Sequence, residues 1–380
     1  MRYMTEAATS LLAGSHAGDR MRVSIWRDGQ LLADSVDVAE WSVSDDATRK
    51  VRVQASVTIV DATGELVPRS MHGALSVAGT RLQLTYVDGA GEETPYAWLS
   101  VQKVDPPEQW TLRRLPDGQA QWVFGGASIK VDADDLTSEI EANKLLAPTS
   151  PSQTATYESE MRRLAHPIGV LIAPGVNANR RAPASAVFEK ERLDAISDLA
   201  NACNAVLRMR PEGILEAVPD QHGDPVWDVS GGDDGVLVSV TSAQDKSQIY
   251  NCVVATSSAG GNEEYVGRAF LDTGILRWGG PIGCRPYLHS SSLITSQEAA
   301  DAAARTQLDS LVRDRTTTLT IETLPHPGLQ SGDTIRVHLP GLREPVTAQI
   351  VTLALSGNAD GVDAMKLTLD VPANLLEEAL

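Results

Sequence analysis

The sequence predicts a mainly β chain with an α/β insert (α+β): two antiparallel β-barrel or sandwich-like domains joined by a helix–hairpin unit. Three observations carry this. Residues 21–131 read as short strands of alternating polarity separated by turn dipeptides. Strands return after Gly235. Between the two strand-rich regions, one amphipathic helix runs into a tight hairpin.

Residues 1–20 read as an arm with one short helix over 6–13. Residues 22–26 form a first strand, which Asp28-Gly29 turns into a second from Leu31, because such a dipeptide accepts the positive φ of a hairpin turn. Val51, Val53, Ala55, Val57 and Ile59 alternate with Arg52, Gln54, Ser56 and Thr58, so one face is buried and one is wet. Leu82, Leu84 and Tyr86 repeat the pattern before Asp88-Gly89, and Ala97, Leu99 and Val101 add a strand. Residues 110–114 and 121–124, around Pro116-Asp117-Gly118, give one more hairpin. Residues 132–146 predict a helix, with Asp134 and Asp135 in a first turn that the macrodipole favours. Residues 149–156 read as a polar linker.

The insert begins with a short helix at 157–164 and a buried strand at 169–173. Leu193, Ile196, Leu199, Ala200, Cys203 and Val206 fall at helical spacing over 191–207. A strand to Met209, a turn at Pro211-Glu212-Gly213 and a strand over 214–218 follow. Residues 235–240 and 249–256 are then read as strands, the second buried on both sides at Val253 and Val254. Thr295-Ser-Gln-Glu298 has the spacing of a capping box and opens an alanine-rich helix to about Arg313. A β-branched run over 315–323, the breaker Pro325-His-Pro-Gly328, the turn Ser331-Gly-Asp333 and a strand over 334–339 come next. Residues 346–355 and 365–371 form a last hairpin around 357–361. The expected division is an arm (1–20), a first β-barrel-like domain with a C-terminal helix (21–148), a linker (149–156), an α/β helix–hairpin domain (157–232), a second β-barrel-like domain crossed by the helix 296–313 (233–372), and a tail (373–380).

Composition narrows the function classes. Hydrophobic residues make up 42% but aromatics only 4%, so the core rests on aliphatic side chains. A formal charge of −18 argues against tight general binding to nucleic acid or an anionic membrane, while allowing an acidic channel that DNA slips past. Cys203, Cys252 and Cys284 are odd in number and widely spaced, which predicts buried free thiols rather than disulfides or zinc. No leader is expected, since Glu6 follows Arg2 closely and the apolar run at Leu11-Leu12 is short. No run approaches the roughly 18 apolar residues of a span, and the chain reads as soluble and made in the cytoplasm.

The search for chemistry finds no catalytic, cofactor-binding or metal-ligating residue. G-x-S-x-G, Walker A, G-x-G-x-x-G and H-E-x-x-H are missing. The histidines at 16, 72, 166, 222, 289, 326 and 338 are scattered. Asp132, Asp134 and Asp135 lack the glycine and closing glutamate of a calcium loop, so a helix start is preferred to a metal site. Turn chemistry accounts for Gly231-Gly-Asp-Asp-Gly235. Trp26, Trp41, Trp98, Trp110 and Trp122 crowd the first β region, and their place inside alternating strands favours core filling over a sugar-binding platform.

Four passages, in a fixed order, carry a family likeness: Val23-Ser-Ile-Trp-Arg-Asp-Gly29 with 47–51, 57–64 and 66–68; the helix and hairpin of 192–217; Gln248-Ile-Tyr-Asn-Cys-Val-Val254; and Arg277-Trp-Gly-Gly-Pro281 with 291–295 and Pro327-Gly-Leu-Gln-Ser-Gly-Asp333. Over about residues 20–372 the chain resembles the minor tail proteins of long-tailed actinobacterial phages that act as tail-tip or baseplate hubs. The resemblance implies a non-enzymatic virion protein of siphovirus type, without cofactor. It implies a homotrimer ring at the tail tip, with a distal tail or tube protein above and tip, spike or other minor tail proteins below. The tape measure protein is a further expected neighbour, DNA passes only in transit, and no stable membrane binding is expected. Two other classes compete: an adhesin for host-wall carbohydrate that uses the tryptophan-rich region, and a cell-wall hydrolase built on a carboxylate pair.

Overall fold

In chain order, the computed structural model begins with helix α1 (Glu6–Ser10), capped by Thr5, whose hydroxyl accepts from the Ala8 N–H. Eight strands follow: β1 (Arg20–Arg27), β2 (Gln30–Ala33), β3 (Val38–Asp46), β4 (Val53–Asp61), β5 (Thr80–Val87), β6 (Glu93–Asp105), β7 (Glu108–Arg114) and β8 (Ala120–Asp135). Next come α2 (Thr137–Ala142), α3 (Tyr157–Ala165), β9 (Val170–Ile172), α4 (Arg192–Asn201), β10 (Ala205–Met209), β11 (Leu215–Pro219), β12 (Asp228–Val229) and β13 (Leu237–Ala243). The remainder is β14 (Cys252–Ser257), β15 (Val266–Phe270), β16 (Pro286–Ser291), α5 (Gln297–Arg313), β17 (Thr316–Thr323), β18 (Thr334–Val337), β19 (Val346–Asn358), β20 (Gly361–Val362) and β21 (Met365–Pro372). The structure describes residues 1–372 apart from 13, 116–118, 221–222, 233–234, 244–248, 258–264, 292–295, 314–315 and 340–343. The expected turn at 116–118, Thr295, the acids of the 231–235 loop and the tail 373–380 lie outside these.

The chain forms two compact units: Met1–Val240 with Thr320–Pro340 and Glu344–Leu369, and Thr241–Leu319 with Gly341–Arg343 and Asp370–Leu380. A 15-stranded sheet runs β13-β17-β21-β19-β3-β4-β8-β6-β5-β1-β2, with β7, β12, β18 and β20 off this path. Its buried face follows from alternation. On β4, Val53, Ala55, Val57 and Ile59 point inward while Gln54, Ser56 and Thr58 are half-exposed. Val23, Ile25, Leu82, Leu84, Leu99, Ile129 and Val131 join them, each worth roughly 1.5–3 kcal/mol of burial.

The expected barrels are corrected here: no pairing among the described residues closes the path, and the sheet is open. The early and late strands are hydrogen-bonded into that one sheet through β3 and β19, in register from Thr352↔Asp46 to Asn358↔Glu40. Gly357 faces Trp41 across this pair, and a Cβ there would stand 2.9 Å from the indole.

The predicted helix at 132–146 is also corrected. Strand β8 continues to Asp135 with Val131, Ala133 and Asp135 inward, and the helix is the short α2. Asp135 accepts from the backbone N–H groups of Arg52, Val53 and Thr137, so it ties the strand end to β4. Burial pushes its carboxyl above the usual range, and these bonds oppose the shift.

The linker over 149–156 is not irregular throughout. Thr149 bridges Phe188, Thr156 bridges Arg181, and Thr156 with Ser159 forms a capping box at α3. Helices α2, α3 and α4 pack on the sheet β10-β11-β9 through Ile140, Met161, Leu164, Ile196, Leu199, Leu215 and Ala217.

Much of the first unit's polar order converges on the loop between β17 and β18, which the sequence marks as a Pro/Gly corner. Residues 325–331 are buried. Asp45 on β3 accepts from the Ser331 N–H at 2.9 Å and from its hydroxyl. Arg52 donates to the carbonyls of Ser331 and Leu207. Arg2, only 3% exposed, lies over the Tyr96 ring and donates to the carbonyls of Tyr96, Pro327 and Leu329. His326 is buried edge-on to Trp227, and its Nδ1 accepts from the Gly328 N–H. Burial, with the cations of Arg2 and the Met1 amine nearby, lowers its pKa to about 4.

The second unit is a three-stranded sheet, β15-β14-β16, with α5 on one face. Ala300, Ala304 and Leu308 of α5 meet Val253, Ala255 and Ala269. The helix is capped by Ser296, whose hydroxyl accepts from the Ala299 N–H, one residue later than the expected Thr295. Asn251 holds the strand entry, donating to the carbonyls of Leu276 and Gly283 and accepting from the Arg285 N–H. Of the cysteines, Cys203 and Cys252 are buried free thiols, but Cys284 is exposed, contrary to expectation.

Candidate functional site

Three places carry groups that the cores do not account for. The first is the polar face of the sheet across β19, β3, β4 and β8. Register lines up Ser356, Ser42, Ser56 and Asp132 in one row, and Ala354, Ser44, Gln54 and Asp134 in the next. With Glu322 and Lys366 they line a groove of about 640 Å³. Asp132 accepts from the Ser56 hydroxyl at 2.8 Å and Asp134 from the Gln54 amide at 3.2 Å. Burial, with the charge of Asp132 beside it, raises the Asp134 carboxyl above its usual range, while the Gln54 bond opposes this. Two residues apart on one strand, these carboxylates share a face, but each is already engaged by a neighbour. A hydrolytic pair needs one carboxyl free to protonate a leaving group.

The second place is a cavity of about 260 Å³ under α1. Buried Asp19 accepts from the Tyr86 hydroxyl, stands 2.6 Å from His16 Nδ1 and accepts from the Gly89 N–H at 2.8 Å. Burial and the Asp19 charge push the Tyr86 phenol up. His16 Nε2 lies 3.2 Å from the Leu12 carbonyl, so both ring nitrogens are occupied. The arrangement clamps the N-terminal segment to the β5–β6 turn.

The third place is the ribbon of β7 and the first half of β8. β8 pairs with β4 from Ala127 and with β6 from Lys130, whereas residues 120–126 pair only with β7. Trp110↔Phe124 and Leu112↔Trp122 are opposed pairs, so these four side chains share one face. Phe124 is held at the base, where Arg69 lies over its ring and bridges to Glu108. Beyond it Trp110, Leu112 and Trp122 are 48%, 50% and 62% exposed. The core-filling expectation therefore fits buried Trp41 and half-buried Trp26 and Trp98, whose rings meet at a tilt of 56° with centroids 5.4 Å apart. It fails for Trp110 and Trp122.

No group of three or more His, Cys, Asp or Glu is placed to hold a metal among the described residues. No helix among them is long and apolar enough to cross a membrane. Asp132, Asp134 and Asp135 do not converge, because the first two face the groove and the third the interior. The sequence predicts this hairpin but not the exposure of its aromatic face. Its available signal was Pro106-Pro107 at the entry, with polar Gln109, Thr111, Arg113 and Gln121 on the opposite face.

No protein-family model and no curated protein matches the chain by sequence. Comparison of folds does find matches, among them two phage tail proteins whose fold is similar to this mostly antiparallel β structure. The tail protein from Neisseria meningitidis MC58 matches at a TM-score of 0.57 and 14% identity, covering 94% of this chain and 99% of that one. The 43 kDa tail protein of prophage MuSo2 from Shewanella oneidensis matches at 0.54 and 10% identity, covering 93% and 99%. A chain of the half-lidded Francisella PdpA-VgrG complex matches at 0.55 and 9% identity, covering 97% of this chain and 61% of its own.

Proposed function

We propose that this chain is a structural component of a phage tail tip, a minor tail protein acting as the hub between tail tube and distal tip. The observation that supports it best is the likeness to two tail proteins over nearly the full length of both partners, 93–94% of this chain and 99% of theirs. The likeness to a chain of a PdpA-VgrG complex supports a place among other proteins of such an assembly. In this reading three copies form a ring on a long tail, with a tube protein above, tip or spike proteins below and the tape measure protein within. DNA meets the ring only in transit, and the acidic groove face with Asp132, Asp134 and Glu322 is the surface suited to repel it. The role needs no catalytic residue or cofactor.

A second reading is favoured by one observation, the exposure of Trp110 and Trp122, which suits a carbohydrate-binding adhesin. Immunogold labelling of particles released by the producing host separates the two. Gold at the distal tip, opposite the capsid, supports the hub. Labelled fibres projecting sideways favour the adhesin, and antigen found free of particles sinks both.

A further inference from the structure

His16 stands between two acceptors. Its Nδ1 is 2.6 Å from Asp19 Oδ2 and its Nε2 is 3.2 Å from the Leu12 carbonyl oxygen. A neutral imidazole carries one N–H and satisfies one of them, whereas the imidazolium donates at both nitrogens. Asp19 is only 2% exposed, and its other contacts, the Tyr86 hydroxyl and the Gly89 N–H, are neutral donors. A buried carboxylate calls for a cation, and among the described residues His16 is the basic group within ion-pair distance of this one. A proton shared along the His16–Asp19 contact leaves the count the same: the geometry uses one proton more than a neutral ring beside a carboxylate provides.

These bonds join three parts of the chain. Leu12 follows α1, Asp19 leads into β1, and Asp19 in turn holds Tyr86 of β5 and the β5–β6 turn. We propose that His16 is a pH-operated latch for the N-terminal arm: with two protons it ties the Leu12 end of α1 to Asp19, and with one it lets that end go. The Asp19 contact outlasts the Leu12 contact, because a carboxylate is the stronger acceptor for the N–H that remains. The part released is the wall of Met4, Ala8, Leu11 and Leu12 that closes one side of the cavity under α1. An imidazole exchanges its second proton between about pH 5 and 8, so the latch is closed in acid and open in base.

The other ionisable groups around the arm are the carboxylates Asp19, Asp88 and Glu92, the Tyr86 phenol, Arg2, His326 and the Met1 amine. Burial pushes the phenol up, so it keeps its proton, and His326, at about 4, is neutral across this range. The Met1 amine is paired with Asp333 and lowered by burial, which makes it the group that would imitate the latch.

The test follows hydrogen exchange of the Leu11, Leu12 and Gly14 amides, which bond within the arm, in the full chain and its His16→Gln variant at pH 5.5 and 8.5. Rates are corrected for the intrinsic pH dependence of exchange. Glutamine at position 16 titrates nothing, so the variant reports what the Met1 amine contributes. The expected result is a fall in protection toward pH 8.5 that is about fivefold larger in the parent chain, the worth of one hydrogen bond. In the parent chain labelled with 15N-histidine, the His16 ring should show two N–H nitrogens at pH 5.5 and one at pH 8.5, a readout that does not depend on the variant. Equal pH dependence in parent and variant overturns the proposal and assigns the effect to the Met1 amine. A single N–H on the His16 ring at pH 5.5 overturns it too, as does arm protection that rises toward pH 8.5. The latch does not rest on the hub reading, which stands or falls by the labelling experiment.

Discussion

Replacing Gly267 by Ala tests the packing of the second unit at one atom. Strand β15 passes so close to α5 that a Cβ at Gly267 would stand 2.1 Å from the Ala300 carbonyl oxygen and 2.2 Å from its carbon, where ordinary contact begins near 3.4 Å. Both atoms are backbone, so no rotamer change relieves the clash, and the helix must back away by roughly 1 Å. That lifts Ala300, Ala304 and Leu308 off Val253, Ala255 and Ala269. Overpacking of this kind costs about 1–3 kcal/mol or more, and the alanine returns about 0.4–1 kcal/mol through a stiffer unfolded chain. The net expectation is a loss of about 2 kcal/mol, or about thirtyfold in the opening equilibrium of α5. Hydrogen exchange of the α5 amides, followed by mass spectrometry, reads that factor directly. Gly223→Ala is the control, because a Cβ there meets nothing within 4 Å. If α5 protection in Gly267→Ala stays within a factor of two of the parent chain, the close approach of helix and strand is wrong.

Three further outcomes are expected. His326 has a folded pKa of about 4 against an ordinary 6.5. Between these values the unfolded chain takes up the proton and the folded one does not, so up to about 3 kcal/mol of stability present above pH 6.5 is lost as pH falls toward 4. Urea midpoints from pH 7.5 to 4 should show this slope, and His326→Leu should flatten it. Asp45→Ala strands the Ser331 N–H and leaves half-buried Arg52 without its nearby carboxylate, a loss of about 3 kcal/mol that a urea midpoint shift measures, whereas an unchanged midpoint would refute the network around Ser331. Iodoacetamide on the native protein should give one adduct, at Cys284. Cys203 and Cys252 are buried, and burial also raises the Cys252 thiol. Two or three adducts before unfolding would contradict the packing around them.

Alternation made β1, β4, β5 and β6 legible, because one face of each is buried and the period is two. The same rule applied at Val131, Ala133 and Asp135 would have extended β8. Asp132, Asp134 and Asp135 carry the local signal of a helix start, and a buried carboxylate satisfied by the Arg52 and Val53 N–H groups leaves no local signal of its own. Strands β15 and β16 have no clear alternating pattern, and Gly267 hides in the sequence as a weakener although its role is to admit α5. The open sheet was beyond reach for a different reason. It depends on β3 meeting β19, a pairing between residues roughly 300 positions apart that no window of sequence contains. For the candidate site, the aromatic residues were visible but their exposure was not, since a ribbon that leaves the body keeps the period of one that stays.

The β3–β19 pairing has a consequence for synthesis. At elongation rates of about 5–20 residues per second, β3 emerges some fifteen seconds or more before its partner strand exists. During that interval its outer edge is an unpaired template in a crowded cytosol. Glu40, Asp45 and Asp46 lie along the strand and supply the charge that discourages premature pairing. Arg2, which waits for Pro327 and Leu329, is under the same schedule. Polypeptides released before β19 would expose the β3 edge, and quality control would meet them as aggregation-prone fragments.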